Sequence, residues 1–309
     1  MVQVTPVLLA LSVGLLSAGP AAAFVHGLRE TANMFAPDSC PIDTVSCSNL
    51  PKVDSCCSPK NGLLVLSQQW DLNYGPQKSF TVHGLWPDLC NGDFLPRNGC
   101  DSGRNHHDIE SIVRQHDKDL LSWMNTYWPS NRLGNNVFWA HEWNKHGTCV
   151  TTLEPRCYGD KYRPQQEVGD YFAQVRQVFS KYNIYQALSK QGIIPGASYP
   201  LANLIGALRR ELNIEARITC RGRQIQEVHM WFHVKGTENY IPAEAHGSNR
   251  CPKLVVYPNK NRSRRSEPAE VEMVEAIEYV DTEDTMPQFN RLQWASEQQI
   301  LSPKFMLTH

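Results

Sequence analysis

Phe138-Trp-Ala-His141-Glu142-Trp-Asn-Lys145-His146-Gly-Thr-Cys149 concentrates more reactive side chains than any comparable stretch of this 309-residue chain. If the stretch begins as a helix, Glu142, Lys145 and His146 sit at i, i+3 and i+4, and therefore on one face. A carboxylate, an ammonium and an imidazole gathered there are expensive without a use. Upstream, Phe80-Thr-Val-His83-Gly-Leu-Trp86-Pro-Asp88 reads as a strand-like run that ends in a glycine turn beside a large aromatic. That arrangement presents an imidazole at the edge of a cleft.

Around these two stretches the apolar pattern alternates in kind. Leu63 to Trp70 is short, apolar and turn-bounded, as a buried strand is. Ile109, Ile112, Val113, Leu120, Leu121 and Met124 recur at helical spacing, as do Val168, Phe172, Val175 and Phe179, and then Leu201, Leu204, Ile205, Leu208 and Leu212. Ile214–Cys220, Gln224–Val234 and Lys253–Tyr257 read as strands. Helices flank a sheet without regular βα alternation, so the expected class is α+β, an antiparallel sheet packed against several helices.

The ends differ from the body. Val7 to Leu16 is an uncharged apolar run of about ten residues, too short to span a bilayer, and the small residues of Ser17–Ala23 follow it. No Lys or Arg precedes the run, yet residues 1–23 still read as a signal peptide. Residues 24–260 form the expected catalytic domain. Residues 261–309 read as an acidic, disordered extension. Within it, 266–309 carry nine acidic and two basic residues, leaving residues 24–265 at a net charge of +6. A modestly basic body fits a polyanionic substrate. Arg262-Ser-Arg-Arg265 resembles a dibasic processing site, and Asn261-Arg-Ser263 is a glycosylation sequon.

Ten cysteines lie between Cys40 and Cys251. None of their spacings fits a zinc knuckle, and secretion makes pairing the default fate. Five disulfides are therefore expected, with roughly 945 pairings open to ten cysteines.

Two histidines and a lysine suit the cleavage of RNA, which carries its own nucleophile in the ribose 2′-hydroxyl. The reaction needs a base for that hydroxyl, an acid for the departing 5′-oxygen and a cation for the charged phosphorane. Imidazole titrates near neutrality and can fill either proton-transfer role. DNA lacks the hydroxyl and is not expected to be a substrate. His141 and His146 are five apart, not the four that a zinc protease helix requires. No metal, cofactor or second protein is called for. The expectation is a monomer acting on single-stranded RNA, free of the membrane once the leader is removed, and secreted or sent to a vacuole- or lysosome-like compartment.

His83-Gly-Leu-Trp86-Pro and His141-Glu142-Trp-Asn-Lys145-His146-Gly-Thr-Cys149 resemble the two signature segments of the ribonuclease T2 family, in the same order and at a similar separation. The resemblance runs from about Cys40 to Tyr257. It implies that His146 is the general base and His83 the general acid, with Glu142 and Lys145 supporting the transition state and His141 binding phosphate. The implied product is a 2′,3′-cyclic phosphate, opened more slowly to a 3′-phosphate, with low base specificity. The cysteine arrangement is similar to the fungal branch, which implies the pairs Cys40–Cys57, Cys47–Cys90, Cys56–Cys157, Cys100–Cys149 and Cys220–Cys251. Trp86, Asp88 and Phe94 match one base site, with Phe94 standing where family members often have Tyr. Gln69, Pro129, Ser130, Asn131 and Phe138 are similar to a second.

Overall fold

The computed structural model describes residues 40–41, 43–48, 53–132 and 134–261. The expected leader and most of the acidic extension, with Arg262–Arg265, lie outside the described residues. The strands are β1 (Leu63–Gln69), β2 (Thr81–Asp88), β3 (Ala197–Pro200), β4 (Ala216–Arg221), β5 (Gln224–Lys235), β6 (Asn239–Pro242) and β7 (Leu254–Tyr257). The helices are α1 (Ile109–His116), α2 (Lys118–Tyr127), α3 (Asn135–Lys145), α4 (Gln166–Lys181), α5 (Ile184–Lys190) and α6 (Leu201–Leu212). Among the described residues, no helix is long and apolar enough to cross a membrane.

All seven strands join one sheet, in the order β2-β1-β5-β7-β3 with β4 and β6 also paired to β5. The α+β class is as expected. The sheet is antiparallel except where β5 meets β7 in parallel at Gln224 and Val256.

β1 lies between β2 and β5 and is buried on both faces. Leu64 and Leu66 point into the main core with Trp139, Trp143, Phe172 and Val175, whereas Leu63 and Val65 join Trp86, Trp231 and Ala245 in a smaller cluster. That division follows from the period-2 geometry of a strand. The helical run from Ile109 to Met124 is broken at Asp117, whose extended backbone ends α1 and whose carboxylate accepts from Asp119 N to begin α2. An N-cap of this kind stabilises a helix by about 1 kcal/mol.

The glycine turn expected after His83 is absent. β2 continues through Gly84 to Asp88, and Pro87 is tolerated because β2 is an edge strand. The irregularity is a bulge instead: Ser67 pairs with Gly84 and Gln68 with Val82, which leaves His83 as the extra residue. A bulge re-aims the side chain at that position. The outer edge of β2 is covered by side-chain donors. Trp128 Nε1 donates to His83 O at 3.0 Å and Tyr171 Oη to Leu85 O at 2.9 Å. These bonds satisfy carbonyls that an open edge would expose for pairing with another chain.

The five disulfides are Cys40–Cys57, Cys47–Cys90, Cys56–Cys157, Cys100–Cys149 and Cys220–Cys251, the pairing implied by the family resemblance.

Candidate active site

The segment from His141 to Cys149 spans the end of α3 and a short 3₁₀ turn, Gly147–Cys149. The buried and partly buried residues of this segment have identifiable tasks. Trp143 lies wholly in the core and donates its indole N–H to Arg104 O at 2.7 Å. Asn144 exchanges hydrogen bonds with the His106 backbone, accepting from its N at 2.8 Å and donating to its O at 3.1 Å. Thr148 Oγ1 caps Asn144 O at 2.8 Å and accepts from Cys100 N at 3.1 Å. Gly147 is required because a Cβ there would sit 2.3 Å from the Trp143 ring. Buried Arg104 donates to Thr148 O and Leu153 O and lies over the Trp143 ring, which fixes the chain beyond the helix.

With the helix end fixed, its reactive face is fixed too. His146 caps α3, its N donating to Glu142 O at 3.1 Å. Its ring lies 5.4 Å from Trp86 and 6.2 Å from His141. From the sheet, the His83 ring meets Trp86 edge-on at 5.0 Å. Both histidines therefore pack against one indole, whose N–H donates to Glu142 Oε2 at 2.8 Å. The two signature segments are also joined through the core, because Trp139 donates to Trp128 O at 2.9 Å and Trp128 to His83 O.

Gly84 explains itself in this setting. A Cβ at position 84 would lie 2.1 Å from both Glu142 Oε2 and Trp86 Nε1, where no atom fits. Gly84→Ala is therefore expected to break the Trp86–Glu142 bond. The overpacking costs stability by about 1–3 kcal/mol, and turnover falls at least tenfold. Thermal melting and initial rates on RNA check this, and a variant with wild-type values on both would contradict it.

The electrostatics separate the ionisable groups. Burial pushes the Glu142 carboxyl up to about 7, against the opposing pull of His83, the Trp86 hydrogen bond and Lys145. Enclosure by surrounding protein, with the Lys145 and His83 charges, holds His141 down to about 4. Burial alone would lower His83, but the charge and hydrogen bond of Glu227 outweigh it and raise the imidazole. Glu227 is held well below the usual carboxylate range: burial opposes ionisation, and His83 and His229 overcome it.

Glu227 and His229 are the members of the site that the sequence reading missed. His83 Nδ1 lies 2.8 Å from Glu227 Oε1, and His229 Nε2 lies 2.8 Å from Glu227 Oε2. Two polar residues spaced i, i+2 in Gln224-Ile-Gln-Glu227-Val-His229 were the available signal. An ordinary alternation rule places such residues in solvent.

The residues matched to base sites divide by exposure. Phe94 is exposed, whereas Trp86 and Asp88 are buried, so Trp86 anchors the site as well as bordering it. Gln69 ends β1 opposite Glu227. Phe138 on α3 lies 6.0 Å from the His83 ring. The turn Pro129–Asn131 leads into α3, Ser130 N bonding to Asn135 Oδ1 and Asn131 Nδ2 to Asp71. Among the described residues, one group offers ligand atoms close enough to hold a metal ion: His141, Glu142 and His146, within 4.8 Å of one another.

The sequence matches the model of the ribonuclease T2 family over residues 47–245. It is 43% identical to Ribonuclease Rh of Rhizopus niveus over 222 residues, 72% of this chain and 93% of that protein. It is 39% identical to Ribonuclease T2 of Aspergillus oryzae over 230 residues, 71% and 82% of the two chains. The crystal structure of Actibind, described as a T2 ribonuclease, aligns with a TM-score of 0.67 at 38% identity, over 73% of this chain and 99% of that one.

Proposed function

The chain belongs to the ribonuclease T2 family, and from that premise we propose that it is a secreted, metal-independent T2-type endoribonuclease forming 2′,3′-cyclic phosphates from single-stranded RNA. The observation that carries the reading is the pair of imidazoles, His83 and His146, both packed against Trp86, with Glu142 and Lys145 close enough to act on them.

His146 takes the proton of the 2′-hydroxyl, and O2′ attacks phosphorus. The P–O5′ bond breaks, and the departing 5′-oxygen takes a proton from His83. A raised His83 is suited to giving that proton. Lys145 supplies positive charge to the phosphorane. Glu142, held near 7, is largely neutral in mildly acidic solution and so adds little negative charge against an incoming phosphate. A neutral His141 can donate a hydrogen bond to a phosphate oxygen. Exposed Phe94 and the Gln69, Pro129–Asn131 and Phe138 group offer surfaces for two bases, with stacking worth about 1–3 kcal/mol per base.

A second reading follows from the His141, Glu142 and His146 cluster, which is spaced closely enough to chelate a metal and work as a metal-dependent nuclease. One assay separates the two. RNA and DNA are incubated with the protein with and without EDTA, and products are followed by chromatography. RNA cleavage to cyclic phosphates unaffected by EDTA, with DNA intact, is expected; EDTA-sensitive cleavage of both polymers favours the metal reading.

The apolar leader and five disulfides support passage through an oxidising compartment. Asn261 is exposed, and its Nδ2 donates to Asn73 Oδ1 at 2.6 Å.

A further inference from the structure

Glu227 and His229 lie two residues apart on β5 and so face the same side of the sheet. Both are almost wholly buried, at 3% and 1% exposure. Burying a carboxylate is costly unless it is paired and hydrogen-bonded. Glu227 is paired twice, one oxygen to His83 and the other to His229. Ladder pairing on both sides holds the backbone of each residue. Glu227 stands between Gln69 of β1 and Thr219 of β4, and His229 between Ser67 and Arg217. His83 is the bulged residue, free of the register that governs its neighbours. An ionised carboxylate accepts only, so both histidine nitrogens facing it carry hydrogens. His83 therefore has Nδ1–H fixed on Glu227, and its remaining nitrogen, Nε2, is the one left for substrate.

The other groups around His83 come from α3: Glu142, Lys145 and His141 act on it directly, and His146, at the end of α3, packs against the same Trp86 ring. Lys145 opposes a charged imidazole. Glu142 favours it only when ionised, which it largely ceases to be below about 7. Glu227 is thus the anion that persists across the mildly acidic range.

We propose that Glu227, locked in place by His229, is a positioning residue that keeps His83 protonated and aims its Nε2–H at the departing 5′-oxygen. This rests on the reading of His83 as the proton donor. In the step concerned, the electron pair of the breaking P–O5′ bond stays on O5′, which takes the Nε2 proton. His83 is left neutral, with Nδ1–H still held by Glu227. His229 does not touch the substrate; it acts by holding the second carboxylate oxygen.

The test compares two substrates. A dinucleoside monophosphate leaves an alkoxide that needs a proton, whereas a nucleoside 3′-(4-nitrophenyl phosphate) leaves a phenolate that does not. In Glu227→Gln, kcat/KM for the dinucleotide is expected to fall by about 10²-fold or more. The alkaline limb of its pH profile should move down by about 1 pH unit or more, since an opposite charge beside His83 has been removed. The acidic limb, which belongs to the base, should stay in place. The activated ester should be cleaved within a few-fold of the wild-type rate. His229→Gln should give a smaller change with the same signature, and it serves as the deciding variant if Glu227→Gln does not fold. Equal losses on both substrates with an unmoved alkaline limb overturn the proposal, because they mark a structural role only. His83→Ala is run alongside: if it loses as much on the activated ester as on the dinucleotide, His83 is not the acid, and it is the underlying reading that fails.

Discussion

His146→Ala is expected to lower kcat/KM on RNA by about 10³-fold or more while leaving the fold and melting temperature nearly unchanged. The two halves of that expectation have separate causes. General acid–base catalysis by a positioned side chain contributes about 10²–10⁴-fold, and the base acts on the nucleophile itself. Stability should hold because His146 caps α3 through its backbone, with its N on Glu142 O, and its ring is only partly buried. Substitutions outside the core usually change stability by about 0.5 kcal/mol or less. His83→Ala should be comparably inactive, and the double variant little worse than either single one, since residues that act as a unit are not additive. Circular dichroism and initial rates check both halves. A folded His146→Ala protein retaining more than a tenth of wild-type turnover would remove His146 from the mechanism.

Much of this site was legible because a helix has a fixed period. Glu142, Lys145 and His146 could be placed on one face from spacing alone, and α3 does end there. What spacing could not give was the sheet half of the site. β5 is central and buried on both faces from Ile225 to Val234, apart from partly buried Gln226 and His233. Its alternation of polar and apolar residues therefore does not mark a solvent face, and nothing local singles out Glu227 and His229. Gly84 was misjudged for a related reason. Glycine after an apolar run is commonly a turn, but here it clears room for the Glu142–Trp86 bond across a continuous strand. Trp86 looked like a stacking surface because its partner lies 56 residues away in sequence. The disulfide pairing came from the family resemblance; the cysteine spacings alone left it open. The parallel contact of β5 with β7 has no local signature at all.

The second large effect falls on stability. Loss of the Cys100–Cys149 bridge, in Cys149→Ser or in the double serine variant, is expected to cost about 4 kcal/mol for its 49-residue separation on chain-entropy grounds. That is a large part of a total stability of about 5–15 kcal/mol for a typical domain. The loss should reach turnover as well, because the bridge closes a tight local structure. Cys149 follows His146 by one 3₁₀ turn, its N donating to His146 O at 3.0 Å and its O accepting from Asn61 Nδ2 at 3.0 Å. Cys100 N is bonded in turn to Thr148 Oγ1, which caps α3. Freeing the bridge loosens these bonds together, and a base displaced by even 1 Å can lose about 10²-fold in rate. Urea denaturation gives the stability change, and rates measured below the new midpoint separate misplacement from unfolding. The double variant also removes the unpaired thiol, so mispairing with other cysteines cannot mimic the result. A double variant that matches the wild type in both midpoint and turnover would show that the hydrogen bonds of Asn144, Thr148 and Arg104 hold the helix end unaided.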